Sequence, residues 1–329
     1  MLVVGGAGLD TLVFLDADRI DLDRDSGFSR NVDVVGHMGA YCARGMAGLG
    51  RATGFLGSLG QDPAGEQVLR ALRGAGATPF IFTDPAGTAR SVNLITRDGS
   101  RRAFYDGRGA MNLQVPAELA RQALQGVGLA HFSLVNWSRS LLAPARAGGA
   151  VVSVDLQDAD SHDDPYRADY VAAADIIFVS TAHLPDPVAT ATGLMARGPA
   201  QVVVVGMGPE GVLTVERGAG DGAAAPDATV VPGTGPRRTA SLPPPDRLQV
   251  HHHPVPGLDW TVVDTNGAGD GLAVGFLDAY VLDGLDVDRA VLRGQIVARW
   301  TCTQVGGDDP LDRVRLAAAE ARSLDRHGA

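Results

Sequence analysis

Short, largely apolar and β-branched runs punctuate the chain: Leu2-Val3-Val4, Val151 to Leu156, Ile176 to Val179 and Gln201 to Val205. Short, mainly apolar runs of this kind predict strands buried on both faces. Between them the apolar positions change to helical spacing, at Met38, Cys42, Met46 and Leu49, and again at Val68, Leu69, Leu72 and Ala75. From Asp264 onward the helical pattern returns, with Leu272, Phe276, Ala279 and Tyr280 followed by Val291, Ile296, Val297 and Trp300. Alternating strands and helices favour a mainly parallel sheet with helices on both sides, so the expected fold class is α/β, a three-layer α/β/α core.

Two regions break the alternation. Thr11 to Asp18 and Asn31 to Val35 read as short strands, and Arg90 to Asp106 as a hairpin bending at Asp98-Gly99. These segments, about 11–35 and 88–107, are expected to form a small β lid standing off the core of a single domain, 1–329. The second break, about 218–258, holds 8 of the chain's 19 prolines, including Pro243-Pro244-Pro245. It reads as a Pro/Gly-rich surface insertion. His251-His252-His253 at its end is expected to be solvated loop and not a metal site, because adjacent residues of an extended chain point to opposite sides.

Charge narrows the function classes. Acidic residues outnumber basic ones, 38 to 28, for a net charge of −10, which disfavours nucleic acid or an anionic membrane as partner. No Lys occurs, so a Walker-type phosphate loop, which requires one, is excluded. Cys42 and Cys302 have neither CxxC nor zinc spacing. Met1 to Gly8 is apolar but too short for a signal peptide, and no run of about 18 apolar residues occurs. A reduced, cytoplasmic enzyme is expected.

The chemistry concentrates in Asp264-Thr265-Asn266-Gly267-Ala268-Gly269-Asp270, followed by the apolar run Gly271 to Leu277. Three small residues let backbone N–H groups close on an anion, with the positive end of a helix dipole behind them. A carboxylate beside a phosphate-sized pocket suits removal of a proton from a hydroxyl that attacks phosphorus. Asp270 would also serve as an ordinary helix N-cap.

The order of motifs resembles the ribokinase-like (PfkB) carbohydrate kinase family over nearly the whole chain. Five segments carry the resemblance: Val3 to Asp10, Phe55 to Asp62 with Gly65, Ser91 to Tyr105, Val202 to Gly211, and Asp264 to Leu277. The resemblance implies a ribokinase-like (Rossmann-like) core and an ATP-dependent kinase acting on a hydroxymethyl group of a sugar or sugar-like molecule. It implies Asp270 as catalytic base, and Gly267, Ala268 and Gly269 as the anion hole. Asp264, with the backbone at Asn266, falls where relatives hold a monovalent cation, so Mg²⁺ and K⁺ are implied alongside ATP. Asp10, ending the first strand, with Gly36 and Gly39, would contact the sugar. Gly206, Gly208 and Gly211 fall near the nucleotide phosphates, and Thr303 and Gly306 near the adenine. Lid pairing of the family's kind implies a homodimer.

Departures from the pattern matter. His37 replaces a Gly and Tyr41 an Asn in the sugar segment Gly36 to Tyr41. Ser180-Thr181-Ala182-His183 stands where the family has Asn-x-x-Glu, which orders water around Mg²⁺, and Gly206 stands where a Thr touches phosphates. Arg108 is either a solvated Arg or a holder of a substrate carboxylate. Two alternatives to a sugar kinase follow: a nucleoside kinase in which Tyr41 stacks on a base, and a catalytically weakened sugar- or nucleotide-binding regulatory protein.

Overall fold

The computed structural model describes residues 1–21, 23, 27–97, 99–159, 161–180, 186–218 and 248–327. The core sheet is built from β1 (Leu2–Val4), β4 (Gly54–Leu59), β5 (Thr78–Thr83), β8 (Leu129–Ser133), β9 (Val151–Asp158), β10 (Ile176–Ser180), β11 (Val202–Gly206), β12 (Val212–Arg217) and β13 (Leu248–His253). A second sheet joins β2 (Gly8–Leu15), β3 (Ser29–Gly36), β6 (Ala89–Ile95) and β7 (Arg101–Asp106) in the order β3-β2-β6-β7.

In the core sheet the order is β13-β12-β11-β10-β9-β8-β1-β4-β5. Pairing is parallel from β11 through β5, and among the described strands of this sheet only β12, antiparallel to both β11 and β13, runs the other way, near one edge. The apolar runs account for this. Alternate residues of each strand are buried on opposite faces: Val3, Phe55, Phe178, Val202 and Val204 on one, and Leu2, Val4, Leu56, Val152, Val154 and Val203 on the other. The first face is covered by α1 (Met38–Gly48), α2 (Pro63–Gly74), α7 (Ala268–Leu277), α8 (Val287–Thr301) and α9 (Arg313–His327). Against the second lie α3 (Ala117–Leu124), α4 (Arg139–Ala147), α5 (Ala168–Ala173) and α6 (Pro187–Arg197).

The close approach of α7 to α8 needs glycine. A Cβ at Gly275 would sit 2.5 Å from the Arg293 carbonyl oxygen and 2.7 Å from the Cα of Gly294. Residues 271–277 of α7 are all buried, so the catalytic-type turn is anchored on a helix sunk in the core.

Three sequence expectations change. Asp10 does not end the first strand: β1 stops at Val4, and Asp10 lies inside β2 of the second sheet. Gly5 and Gly6 permit this switch, since a Cβ at Gly5 would collide with the Ser133 hydroxyl at 2.1 Å. His251 to His253 are not loop. They form the outer strand β13, registered with β12 from Val212↔His253 to Arg217↔Leu248. An edge strand need not be apolar, and its imidazoles find partners, His253 at the Thr214 hydroxyl (2.9 Å) and His252 at the Glu210 carbonyl (2.8 Å). Finally, the N-cap of α7 is Gly267 in the left-handed region (φ 76°), and Asp270 sits in the first turn without capping it. Most of the Pro-rich insertion, 219–247, lies outside the described residues, as do Asp98 and 181–185.

Candidate active site

The site forms where the carboxyl ends of β1, β8 and β9 meet the lid sheet and the start of α7, the place where open α/β sheets gather ligand-binding groups. The first-turn amides of a helix have no intrahelical acceptor. At the start of α7 they stand in the Gly267-Ala268-Gly269 turn, where a Cβ at Gly269 would meet no atom within 4 Å. The turn is therefore open at Gly269, while the Ala268 amide donates to the Thr265 carbonyl at 3.2 Å.

Asp270 lies against this turn, half-buried. Its carboxyl is pushed up to about 8, first by burial, then by the negative charges of Asp155 and Asp10, with Arg101 opposing. Asp155, inside β9 and opposite Ser133 of β8, is 9% exposed and is itself pushed up to about 6 by burial, although the Gln157 amide donates to it at 2.7 Å. The Cys42 sulfur of α1 lies 3.9 Å from Asp270 Oδ1, and burial with nearby carboxylates holds that thiol well above its usual range.

The turn is tied to the rest of the site by its own residues. Asp264 is buried, accepting from the amide of Asn266 through Oδ1 and that of Gly306 through Oδ2, each at 3.0 Å. Asn266 in turn accepts a hydrogen bond from the guanidinium of Arg101 on β7. Tyr41 fills the space behind the turn, because a Cβ at Gly267 would come 3.1 Å from its ring and one at Gly307 3.5 Å. This ring is packed on backbone, so it is not poised as a free stacking face for a base.

On the lid side, Asp10 is 5% exposed. Its Oδ1 accepts from the Ser91 hydroxyl and lies 3.1 Å from Nε2 of His37, while Oδ2 packs against Gly36, where a Cβ would be only 1.9 Å away. Burial raises this carboxyl, but His37 and then Ser91 outweigh it, leaving Asp10 below its ordinary range. Gly39 lets α1 start close to β1: its amide donates to the Gly6 carbonyl at 2.9 Å, and a Cβ would lie 2.6 Å from that oxygen. Arg108 pairs with Asp106 at 3.3 Å and reaches the Thr88 carbonyl.

The structure thus brings Asp270, the glycine turn, Asp264, Asn266 and Tyr41 together, with Asp10 acting on Asp270 and Tyr41 through its charge. Gly206 ends β11, with Leu272 of α7 3.6 Å from where its Cβ would be, so a larger residue has room there. Gly208 and Gly211 turn β11 into β12 with positive φ. Thr303 donates to the Trp300 carbonyl at 2.7 Å, so of the two residues after α8 only Gly306 is bonded to the turn. Asp155, Ser91 and Arg101 escaped the sequence reading. A lone carboxylate inside an otherwise mostly apolar strand could have marked Asp155; nothing in the sequence marks Arg101.

A mainly parallel α/β core, a second four-stranded sheet beside it and a glycine turn carrying a carboxylate match a phosphotransferase of the ribokinase fold. A family model described as pfkB family carbohydrate kinase matches residues 35–235 and 248–313, and the chain belongs to that family. Among solved structures, the microbiome-derived acarbose kinase Mak1 is 32% identical, with TM-score 0.79 and 98% of each chain covered. Acarbose 7(IV)-phosphotransferase of Actinoplanes sp. is 29% identical over 305 residues, 92% of each protein, and an ATP-dependent ribose-1-phosphate kinase of Halopiger xanaduensis is 25% identical, over 85% of this chain and 84% of that protein. Arabidopsis thaliana ribokinase, solved with ribose and ATP, shares the fold at 17% identity (TM-score 0.70, 97% and 98% covered). The protein is an ATP-dependent carbohydrate kinase.

Proposed function

We propose that Asp270 is the base of this kinase, taking the proton of a sugar hydroxymethyl group as it attacks the γ-phosphorus of ATP. One observation carries the reading: the Asp270 carboxyl stands at the open glycine turn with its affinity for a proton raised to about 8. A base poised near working pH both loses its proton and accepts a new one readily. The amides of Gly267, Ala268 and Gly269 hold the charge that develops on the transferring phosphoryl group, a preorganised arrangement typically worth about 10²–10³ in rate. Gly206, Gly208, Gly211, Thr303 and Gly306 border the nucleotide, and Asp10, Gly36, His37, Gly39, Tyr41 and Arg108 the acceptor.

Cations fit this site. Asp264 is buried and, among the described residues, has no ion-pair partner, so it and the backbone at Asn266 would hold a monovalent cation such as K⁺. The unfavourable meeting of Asp155 and Asp270 suits a divalent ion nearby. Mg²⁺ supplies charge neutralisation on the nucleotide oxygens.

A sugar is favoured over a nucleoside because Tyr41 is spent on the turn. Acarbose, named by two relatives, leads the acceptors to be tried. Val92 and Phe104, exposed and in register with one another on β6 and β7, support a homodimer through that sheet. The acidic net charge disfavours nucleic acid or an anionic membrane as partner, and the two free cysteines, Cys42 and Cys302, suit a reduced, cytoplasmic setting.

The test is coupled ATP consumption with Mg²⁺ and K⁺ across acarbose, ribose, ribose 1-phosphate, hexoses, sugar acids and nucleosides, with Asp270→Asn alongside. Activity on a sugar that vanishes in the variant supports the reading. ATP binding without turnover on any acceptor would favour a regulatory sugar- or nucleotide-binding protein instead.

A further inference from the structure

His37 occupies a backbone conformation almost reserved for glycine, φ 67° and ψ 150°, immediately before α1. Holding a bulky residue there costs about 1–3 kcal/mol, and such strain persists where surrounding structure imposes it. The imidazole is nine-tenths buried, with 8% of the side chain exposed. Nε2 lies 3.1 Å from Asp10 Oδ1, but the alignment falls short of a full hydrogen bond, and Nδ1 has no partner. A buried ring nitrogen left unpaired costs about 1–3 kcal/mol. Two costs therefore fall on one side chain, in a segment that ordinarily carries a glycine.

The direction of the ring explains what offsets them. A Cβ on Gly6 would stand 3.8 Å from His37 Nδ1, 3.9 Å from the Tyr105 hydroxyl and 3.6 Å from Val135 Cγ1. The bare backbone of Gly6 thus forms the floor of a small recess, with the imidazole and the lid phenol on its walls. The two rings meet edge to face, centroids 5.2 Å apart at 64°. Asp10 meanwhile spends Oδ1 on Ser91 and His37 and packs Oδ2 against Gly36.

Resting on the kinase reading above, we propose that His37 is the specificity-determining contact for the sugar: Nδ1 accepts a hydrogen bond from a substrate hydroxyl seated over Gly6, beside the Tyr105 hydroxyl. Asp10 is then a positioning residue that holds the imidazole. The acceptor is a polyhydroxylated ring whose hydroxyl is read by an imidazole and a phenol, with the carboxylate one step removed. Because Tyr105 belongs to the lid strand β7, the recess is complete only with the lid seated.

The test compares wild type with His37→Gly, His37→Asn, Tyr105→Phe and Asp10→Asn, using acarbose, ribose, ribose 1-phosphate and inosine as acceptors. His37→Gly is expected to raise the acceptor KM about tenfold and reorder preference among the acceptors, with kcat within about threefold and KM for ATP unchanged. His37→Asn, which keeps a hydrogen-bonding acceptor at this position, should recover part of the loss. Tyr105→Phe and Asp10→Asn should shift KM in the same direction. Unchanged KM and acceptor preference in His37→Gly would overturn the assignment.

Thermal unfolding provides an arm independent of turnover. Glycine relieves the strained backbone, so His37→Gly should melt at or above the wild-type temperature; a fall of several degrees would make His37 a structural residue and overturn the proposal. If wild type phosphorylates none of the acceptors, the kinase reading fails, and the His37 assignment is decided on the melting temperature.

Discussion

Arg101, on lid strand β7, donates a hydrogen bond to the side-chain carbonyl of Asn266, 165 positions away in the turn that precedes α7. The four-stranded sheet is therefore fastened to the turn that starts α7, and the same guanidinium lowers the proton affinity of Asp270. One side chain thus joins the β7 strand to the turn and sets part of the charge felt by Asp270, the base under the proposed function.

Replacing Arg101 by Ala should lower kcat/KM for the acceptor about tenfold by losing this charged hydrogen bond. Loss of a nearby positive charge raises a carboxyl's pKa, so the acidic limb of the kcat/KM profile should move to higher pH. A pH–rate profile in which the limb stays still or moves down would show that Arg101 does not act on the base.

Asp270→Asn is expected to cut turnover by about 10²–10⁴ while leaving ATP binding intact, measured by coupled assay and calorimetry. Stability should move the opposite way. The folded protein holds the Asp270 proton up to about 8, whereas an unfolded Asp releases it near its ordinary value of 3.8. The native state thus binds more protons between those values, so stability declines as pH rises through that window. Asn abolishes the decline. After discounting for solvent reaching a half-buried carboxyl, a gain on the order of 1 kcal/mol is expected at pH 8, or about 2–4 °C in melting temperature, disappearing below about pH 4.

Asp155 raises Asp270 by charge repulsion, so Asp155→Asn should shift the acidic limb of kcat/KM to lower pH. The pH–rate profile of this variant, set beside that of Arg101→Ala, should show displacements of opposite sign.

A prediction of pure stability concerns the far end of α7. Asp278 has a fully buried side chain that receives hydrogen bonds from Arg51, Arg293 and Arg313, and Arg293 also bonds Asp283 and Glu320. Asp278→Ala would leave three guanidinium groups facing a gap. Breaking a buried charged network in this way costs about 3–5 kcal/mol, which denaturant titration would detect as a lowered midpoint.

Much of this protein was legible in its chain. The apolar runs at Val151 to Leu156 and Gln201 to Val205 became β9 and β11 because a strand buried on both faces can carry few polar side chains. The Asp264 to Asp270 turn stood out because small residues ahead of an apolar helix have few other uses. Both signals are local, written in periodicity and turn chemistry within about ten residues. His251 to His253 misled because an edge strand can be polar, and its pairing with β12 is decided by a segment distant in sequence.

What packing alone decided is which distant groups face one another. Asp10 entered the lid sheet instead of ending β1, Asp155 came to oppose Asp270, and Arg101 reached Asn266 across the cleft. The sequence determined the strands, the helices and the carboxylate at the turn, since these follow from the order of neighbouring side chains. The charge felt by that carboxylate, and the strained seat of His37 beneath Tyr105, arise from elements brought together by burial of the core, and no pattern along the chain records that meeting.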